Sequence, residues 1–125
     1  MKFLSEEFLD AWAAADGPLL GSASGVVSVK TEGGPDGKVN VTFELEQGRV
    51  TAARPGATKG ADIELTAPYD LAADLFRSDA DPAAEFMRGR LKVSGGMPLW
   101  LEILPAWRAR VVSGDQSSVV GQTEF

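Results

Sequence analysis

The stretch GRLKVSGGMPLWLEILP, residues 89–105, sets a short alternating run against a segment with almost no polar side. In RLKVS, Leu91 and Val93 alternate with Arg90, Lys92 and Ser94, the period of a strand with one covered face. After two glycines the period disappears, and Leu99, Trp100, Leu101, Ile103 and Leu104 crowd around the single charge of Glu102. A helix apolar nearly all round is buried on every side or faces something apolar that is not protein. The helix is expected to begin near Met97 or Pro98. Pro105 is expected to end or kink it, because proline lacks the amide donor and collides with the carbonyl of Leu101.

The chain around this stretch has 125 residues, 44% of them hydrophobic, which is enough for one domain with one core. It contains neither cysteine nor histidine. That removes disulfides and thiol nucleophiles, together with the commonest general base and transition-metal ligand, so no metal site and no cofactor are expected. A net charge of −6 argues against nucleic acid, whose binding is driven by basic side chains displacing counterions. Residues 88–110 invert this balance, with Arg88, Arg90, Lys92, Arg108 and Arg110 against Glu102 alone. No run approaches the roughly 18 apolar residues of a membrane span, and MKFLSEEF turns acidic before a signal-like segment develops. A cytoplasmic location is expected.

Along the chain, Ser5 reads as an N-cap followed by Glu6 and Glu7, and Phe8, Leu9, Trp12 and Ala13 share one helical face. Asp16 and Gly17 are expected to end this helix, leaving Leu19 and Leu20 in a connection where they need burial. VVSVKTE and KVNVTFELEQ, joined by GGPDG, read as a hairpin with Val27, Val29, Val39, Val41, Phe43 and Leu45 inward. RVTAA and ADIELT continue the pattern through Val50, Ala52, Ile63 and Leu65, while Asn40, Thr42, Glu44, Glu46 and Glu64 face water. PYDLAADLF is a short helix with Leu71, Ala72, Leu75 and Phe76 inward. Asp81 and Pro82 open another, which Gly89 closes. A single domain over residues 1–113 and a loosely held polar tail over 114–125 follow.

The run DPAAEFMRGRLKVSGGM, with Phe86, Gly89, Arg90, Leu91, Lys92, Val93, Gly95 and Met97, and the strand ADIELT before a helix, resemble the sterol carrier protein family, type two. The resemblance spans roughly residues 1–112 and is specific over 61–104. It implies an α+β fold with a five-stranded, mainly antiparallel sheet and helices packed on one face. Those layers would enclose an apolar cavity for a fatty acid, acyl-coenzyme A or sterol-like lipid. Phe43, Leu75, Phe76, Phe86, Leu91, Met97, Trp100, Leu101, Leu104 and Trp107 are the residues expected to contact that ligand. Arg88, Arg90, Lys92 and Arg108 would form a positive rim for a carboxylate, a phosphate or an anionic membrane surface. Alternation in RLKVS and the dipole of a helix C-terminus account for the same cations as a solvated face, and the glycines of SGGM account for a strand-to-helix turn.

The function expected is therefore non-enzymatic binding, and transfer, of a lipid-like molecule, with transient contact to a membrane surface or a partner enzyme. Two other readings stay open. In one, the tryptophans fill the core and the chain is an accessory or protein-interaction domain. In the other, it is a small enzyme of the ketosteroid isomerase kind, with Tyr69 as oxyanion donor and Asp62, Asp70 or Asp74 as base. Strand parity makes its own prediction: Phe43→Ala should destabilise by about 3 to 5 kcal/mol in urea denaturation, the cost of truncating a buried phenylalanine.

Overall fold

The strongest period-two runs of the sequence form the centre of the sheet. In the computed structural model, which describes residues 1–15, 21–114 and 117–125, β1 (Gly25–Gly34) pairs antiparallel with β2 (Gly37–Glu46), setting Val27 against Phe43 and Val29 against Val41. On its other side β1 pairs parallel with β4 (Ile63–Pro68), so that Val29 faces Leu65 and Thr31 faces Ala67. Strand β3 (Arg49–Pro55) lies outside β2, and the short β5 (Lys92–Ser94) lies outside β4. The order is β3-β2-β1-β4-β5, with three antiparallel pairings and one parallel.

Four helices cover the face that carries Val27, Val29, Phe43 and Leu65. Helix α1 (Glu6–Ala14) packs on β3, and α2 (Tyr69–Phe76) packs on β1 and β4. Helix α4 (Met97–Ser113) runs along β4 and β5 with α3 (Pro82–Met87) beside it. Local chemistry sets their starts: Ser5 Oγ accepts from the Phe8 amide at 3.2 Å, and Asp81 Oδ1 accepts from the Ala83 amide at 2.9 Å. Phe3, Phe8, Trp12, Phe43 and Phe76 join in edge-on and tilted ring contacts between 4.9 and 5.9 Å, which tie α1 and α2 to the sheet.

The structure corrects several expectations. Thr51 is an extra residue in β3, between the pairs Leu45–Val50 and Glu44–Ala52, and this β-bulge shifts the phase so that Ala53, not Ala52, lies opposite Phe43. Thr42 points to the outer face and is nevertheless fully buried, because the connection from β3 to β4 crosses β2 and β1 over that face. Gly56 O and Thr58 Oγ1 both bond Thr42 Oγ1 there, at 2.8 and 2.9 Å. Helix α4 does not end at Pro105 but continues to Ser113, closed by Gly114 in the left-handed conformation. Proline removes one intrahelical hydrogen bond, and Ile103 and Trp107 on either side of it still pack on the core.

The tail is not loose over residues 117–125. Lys2 and Glu124 form a parallel bridge, Val119 is buried, and the Phe125 ring lies 4.9 Å from Phe3 with the Arg77 guanidinium over it. The expected helix end at Asp16 and Gly17 and the burial of Leu19 and Leu20 lie outside the described residues.

The glycines before α4 serve the turn. Gly96 is its N-cap at φ 46°, and a Cβ there would overlap the carbonyl oxygen of Asp62. Gly33, at φ 80°, has open space around it. We expect Gly33→Ala to cost about 1 kcal/mol and Gly96→Ala about 3 kcal/mol, the second adding displacement of α4 to left-handed strain. Urea denaturation of the two variants checks the difference.

Candidate functional site

A cavity of about 370 Å³ lies between the covered face of the sheet and helices α1, α2 and α4. The sheet contributes Val27, Val29, Phe43, Leu45, Val50, Leu65 and Ala67, and Leu91 joins them just before β5. The helix side contributes Trp12, Ala13 and Ala14 with Ala15 after them, then Ala72, Leu75 and Phe76, then Ile103 and Trp107. The reason for the space is visible in the residue types. Ala13, Ala15, Ala67 and Ala72, buried or half-buried on the wall, put small side chains where a filled core would carry larger ones. Ala14, Arg49 and Thr51 are on the wall and also exposed, so the cavity reaches the surface where α1 meets β3.

Five residues expected to contact ligand, Phe43, Leu75, Phe76, Leu91 and Trp107, lie on this wall. The other five do not. Trp100 is 1% exposed, yet its ring is held against Phe86 at 5.4 Å and Trp107 at 6.3 Å, inside the packed layer between α3 and α4. Phe86 and Leu104 are half-buried against the same core. Met97 is 46% exposed and Leu101 62% exposed, on the outer side of α4. The helix that looked apolar all round is therefore amphipathic in a weak sense, with Trp100 and Ile103 buried and Leu101, Glu102 and Pro105 outward.

The basic rim is also placed elsewhere. Arg88 and Arg90 converge on Glu85, at 2.9 and 3.4 Å, and Arg90 reaches Asp70 at 3.6 Å. Arg108 pairs with Asp81 at 3.3 Å, and Lys92 is exposed on β5. These pairs join α3 to β5, α2 and α4 on the outside of the molecule. The cations that do line the cavity are Arg49, at the start of β3, and Arg110, in the last turn of α4. Arg110 was legible as the third member of a helical face, since Ile103, Trp107 and Arg110 recur at i, i+4 and i+7. Arg49 carried no such signal.

The carboxylates and tyrosine weighed for catalysis are engaged away from the cavity wall. The Tyr69 ring lies over Gly34, whose Cβ would overlap it, and 5.5 Å from Phe3. Asp62 Oδ2 accepts from the Val26 amide at 2.7 Å, Asp70 faces Arg90, and Asp74 pairs with Arg77. An isomerase-like site needs a tyrosine and an aspartate converging on one apolar space. These four residues do not converge.

The chain matches the SCP-2 sterol transfer family over residues 6–104. Its fold is similar to that in a crystal structure of sterol carrier protein 2, with TM-score 0.72 and 16% identity over 94% of this chain and 100% of the other. It is similar to sterol carrier protein domain 2 of Helicoverpa armigera, with TM-score 0.60 and 19% identity over 83% and 75% of the two chains. Palmitated SCP2L2 from Aedes aegypti gives TM-score 0.60 and 16% identity over 82% and 88%. No curated protein matches.

The split of α4 into a wall face and an outer face is directly measurable. Leu101→Asp should leave stability within about 0.5 kcal/mol of the parent, as surface changes do, whereas Ile103→Ala should lose about 2 to 4 kcal/mol. Chemical denaturation reads both, and a large loss for Leu101→Asp would place that side chain in the core.

Proposed function

Since the chain belongs to the SCP-2 sterol transfer family, we propose that it holds one lipid-like molecule in the cavity beneath α1, α2 and α4 and performs no chemistry on it. Lipid or sterol binding or transfer is the general role of the family. The observation that carries the reading for this chain is the cavity itself: about 370 Å³ with walls of valine, leucine, phenylalanine and alanine, open at one end. That volume lies in the lower part of the usual range for small-molecule sites and suits a single acyl chain. The Aedes aegypti protein of similar fold is palmitated. The cavity supports this reading over that of an accessory domain whose core is filled by its own side chains.

Binding follows from apolar transfer. Each methylene taken from water contributes roughly 0.8 kcal/mol before the costs of ordering, about fourfold in affinity. Trp107 and Trp12 line the cavity and report its occupancy, in place of the buried Trp100.

Titrating the protein with n-alkanols of increasing length should give a saturable change in tryptophan fluorescence whose midpoint falls roughly fourfold or less per added methylene until the cavity is full. Ala72→Phe, which fills space between α2 and the sheet, should weaken binding by about tenfold or more while the protein stays folded by circular dichroism. Absence of a saturable response to alkanols, fatty acids and cholesterol alike would remove the proposal.

A further inference from the structure

The cavity runs obliquely across the sheet, and the strand register gives its direction and length. From strand to strand its inward lining residues step by two positions: Phe43 and Leu45 on β2, Val27 and Val29 on β1, Leu65 and Ala67 on β4. Val41 on one side of this line and Ile63 on the other are buried without lining the cavity. At one end Val50 stands beside Leu45, which stands beside Gly25, and at the other Ala67 stands beside Thr31. Crossing from β3 to β4 at about 4.8 Å per strand, and from the level of Gly25 to that of Thr31 at about 3.3 Å per residue, separates the ends by about 24 Å. A volume of about 370 Å³ spread over that length is a slot rather than a round chamber.

The two ends differ. At the β3 end Ala14, Arg49 and Thr51 are exposed, whereas at the β4 end Ala67 and Leu91 are buried. Leu91 precedes the Thr66–Lys92 pair by one residue, which sets it beside Ala67. Both stand on anchored backbone: the Leu91 amide donates to Glu85 O at 3.2 Å, and Ala67 is paired with Thr31 inside the sheet. Side chains carried by hydrogen-bonded backbone hold their position more closely than those on loops. Resting on the lipid-cavity reading, we propose that Ala67 and Leu91 are the stop of this slot and set the longest unbranched chain it holds. The ligand enters tail first from the β3 side, and its terminal methyl comes to rest against these two side chains. Each methylene inside the slot is taken from water, while one that finds no room stays in water at the mouth and adds nothing.

The test compares straight-chain alcohols from octan-1-ol to octadecan-1-ol by displacement of a bound fluorescent probe from the full chain. For the wild type, affinity should rise by up to about fourfold per methylene and then level off at one chain length. Ala67→Val adds two methyl groups on a strand that suits a β-branched residue, and should bring the levelling-off about two methylenes earlier. Leu91→Ala opens space at the stop and should bring it about two methylenes later. Octan-1-ol, which fits either slot, should bind both variants within about twofold of the wild type. A levelling-off at an unchanged length in both variants overturns the proposal. Equal weakening at every length also overturns it, because it assigns the two residues to packing alone. A second measurement needs no variant: in the wild type bound to dodecan-1-ol, nuclear Overhauser contacts should join the terminal methyl to the methyls of Ala67 and Leu91, and the carbinol methylene to Ala14 or Thr51. The reversed pattern overturns the proposal even where neither variant folds. Binding of ever longer chains with no levelling-off overturns this proposal alone, whereas a wild type that binds no alcohol removes the lipid-cavity reading and this proposal with it.

Discussion

The reciprocal bond between Asp62 and Val26 fixes where the two halves of the sheet meet. The Asp62 amide donates to Val26 O at 2.9 Å, and Asp62 Oδ2 accepts from the Val26 amide at 2.7 Å. This clamps the entry of the parallel pair and sets Val27 opposite Ile63 and Val29 opposite Leu65. A slip of one residue would turn the wall of the cavity outward, since side chains alternate between faces. The same residue positions α4, because the Asp62 carbonyl lies against Gly96, where the helix starts, and Leu99 lies close to Gly25. An aspartate that could be weighed as a catalytic base is thus the joint between β1, β4 and the last helix.

Around that joint, the fold keeps space open that a small domain would ordinarily fill. Alanines on α1, α2 and β4 put short side chains on the cavity wall, and forgone packing has a cost in dispersion and apolar burial. Compensation comes from the sides. The ring cluster of Phe3, Phe8, Trp12, Phe43 and Phe76 braces one end, and the docked tail adds Phe125 and Val119 to it. Trp100 with Phe86 and Trp107 braces the other. Trp12, Phe43, Phe76 and Trp107 are wall and prop at once, whereas Phe3, Phe8, Phe86 and Trp100 brace without lining the cavity.

Charge is divided in a similar way. The cluster of basic residues between positions 88 and 110 looks like one patch in the sequence, but the fold disperses it: Glu85 takes Arg88 and Arg90, Asp81 takes Arg108, and only Arg110 turns toward the cavity. These exposed pairs are worth little as stability, and their service is geometric, holding α3 between α2, β5 and α4. Glu85 is the exception in exposure, since it is 7% exposed and both its oxygens are occupied.

The sequence by itself determined the local order of the fold. Period-two runs fixed the inward faces of β1, β2 and β4, Ser5 and Asp81 fixed two helix starts, and the family pattern through Phe86 and Met97 pointed to the architecture, because each of these rests on spacing between near neighbours. Five of the residues expected to contact ligand, Phe43, Leu75, Phe76, Leu91 and Trp107, line the cavity, and their inward faces follow from the same spacing. Tertiary structure alone decided the rest. The bulge at Thr51, the burial of Thr42 under the crossing loop and the parallel pairing of β1 with β4 depend on contacts between residues distant in the chain. Which side of α4 meets the cavity was hidden because nearly every side chain on it is apolar, so hydrophobicity carried no direction. The position of α3 and β5 supplied it, turning Trp100 and Ile103 inward and leaving Leu101 in water.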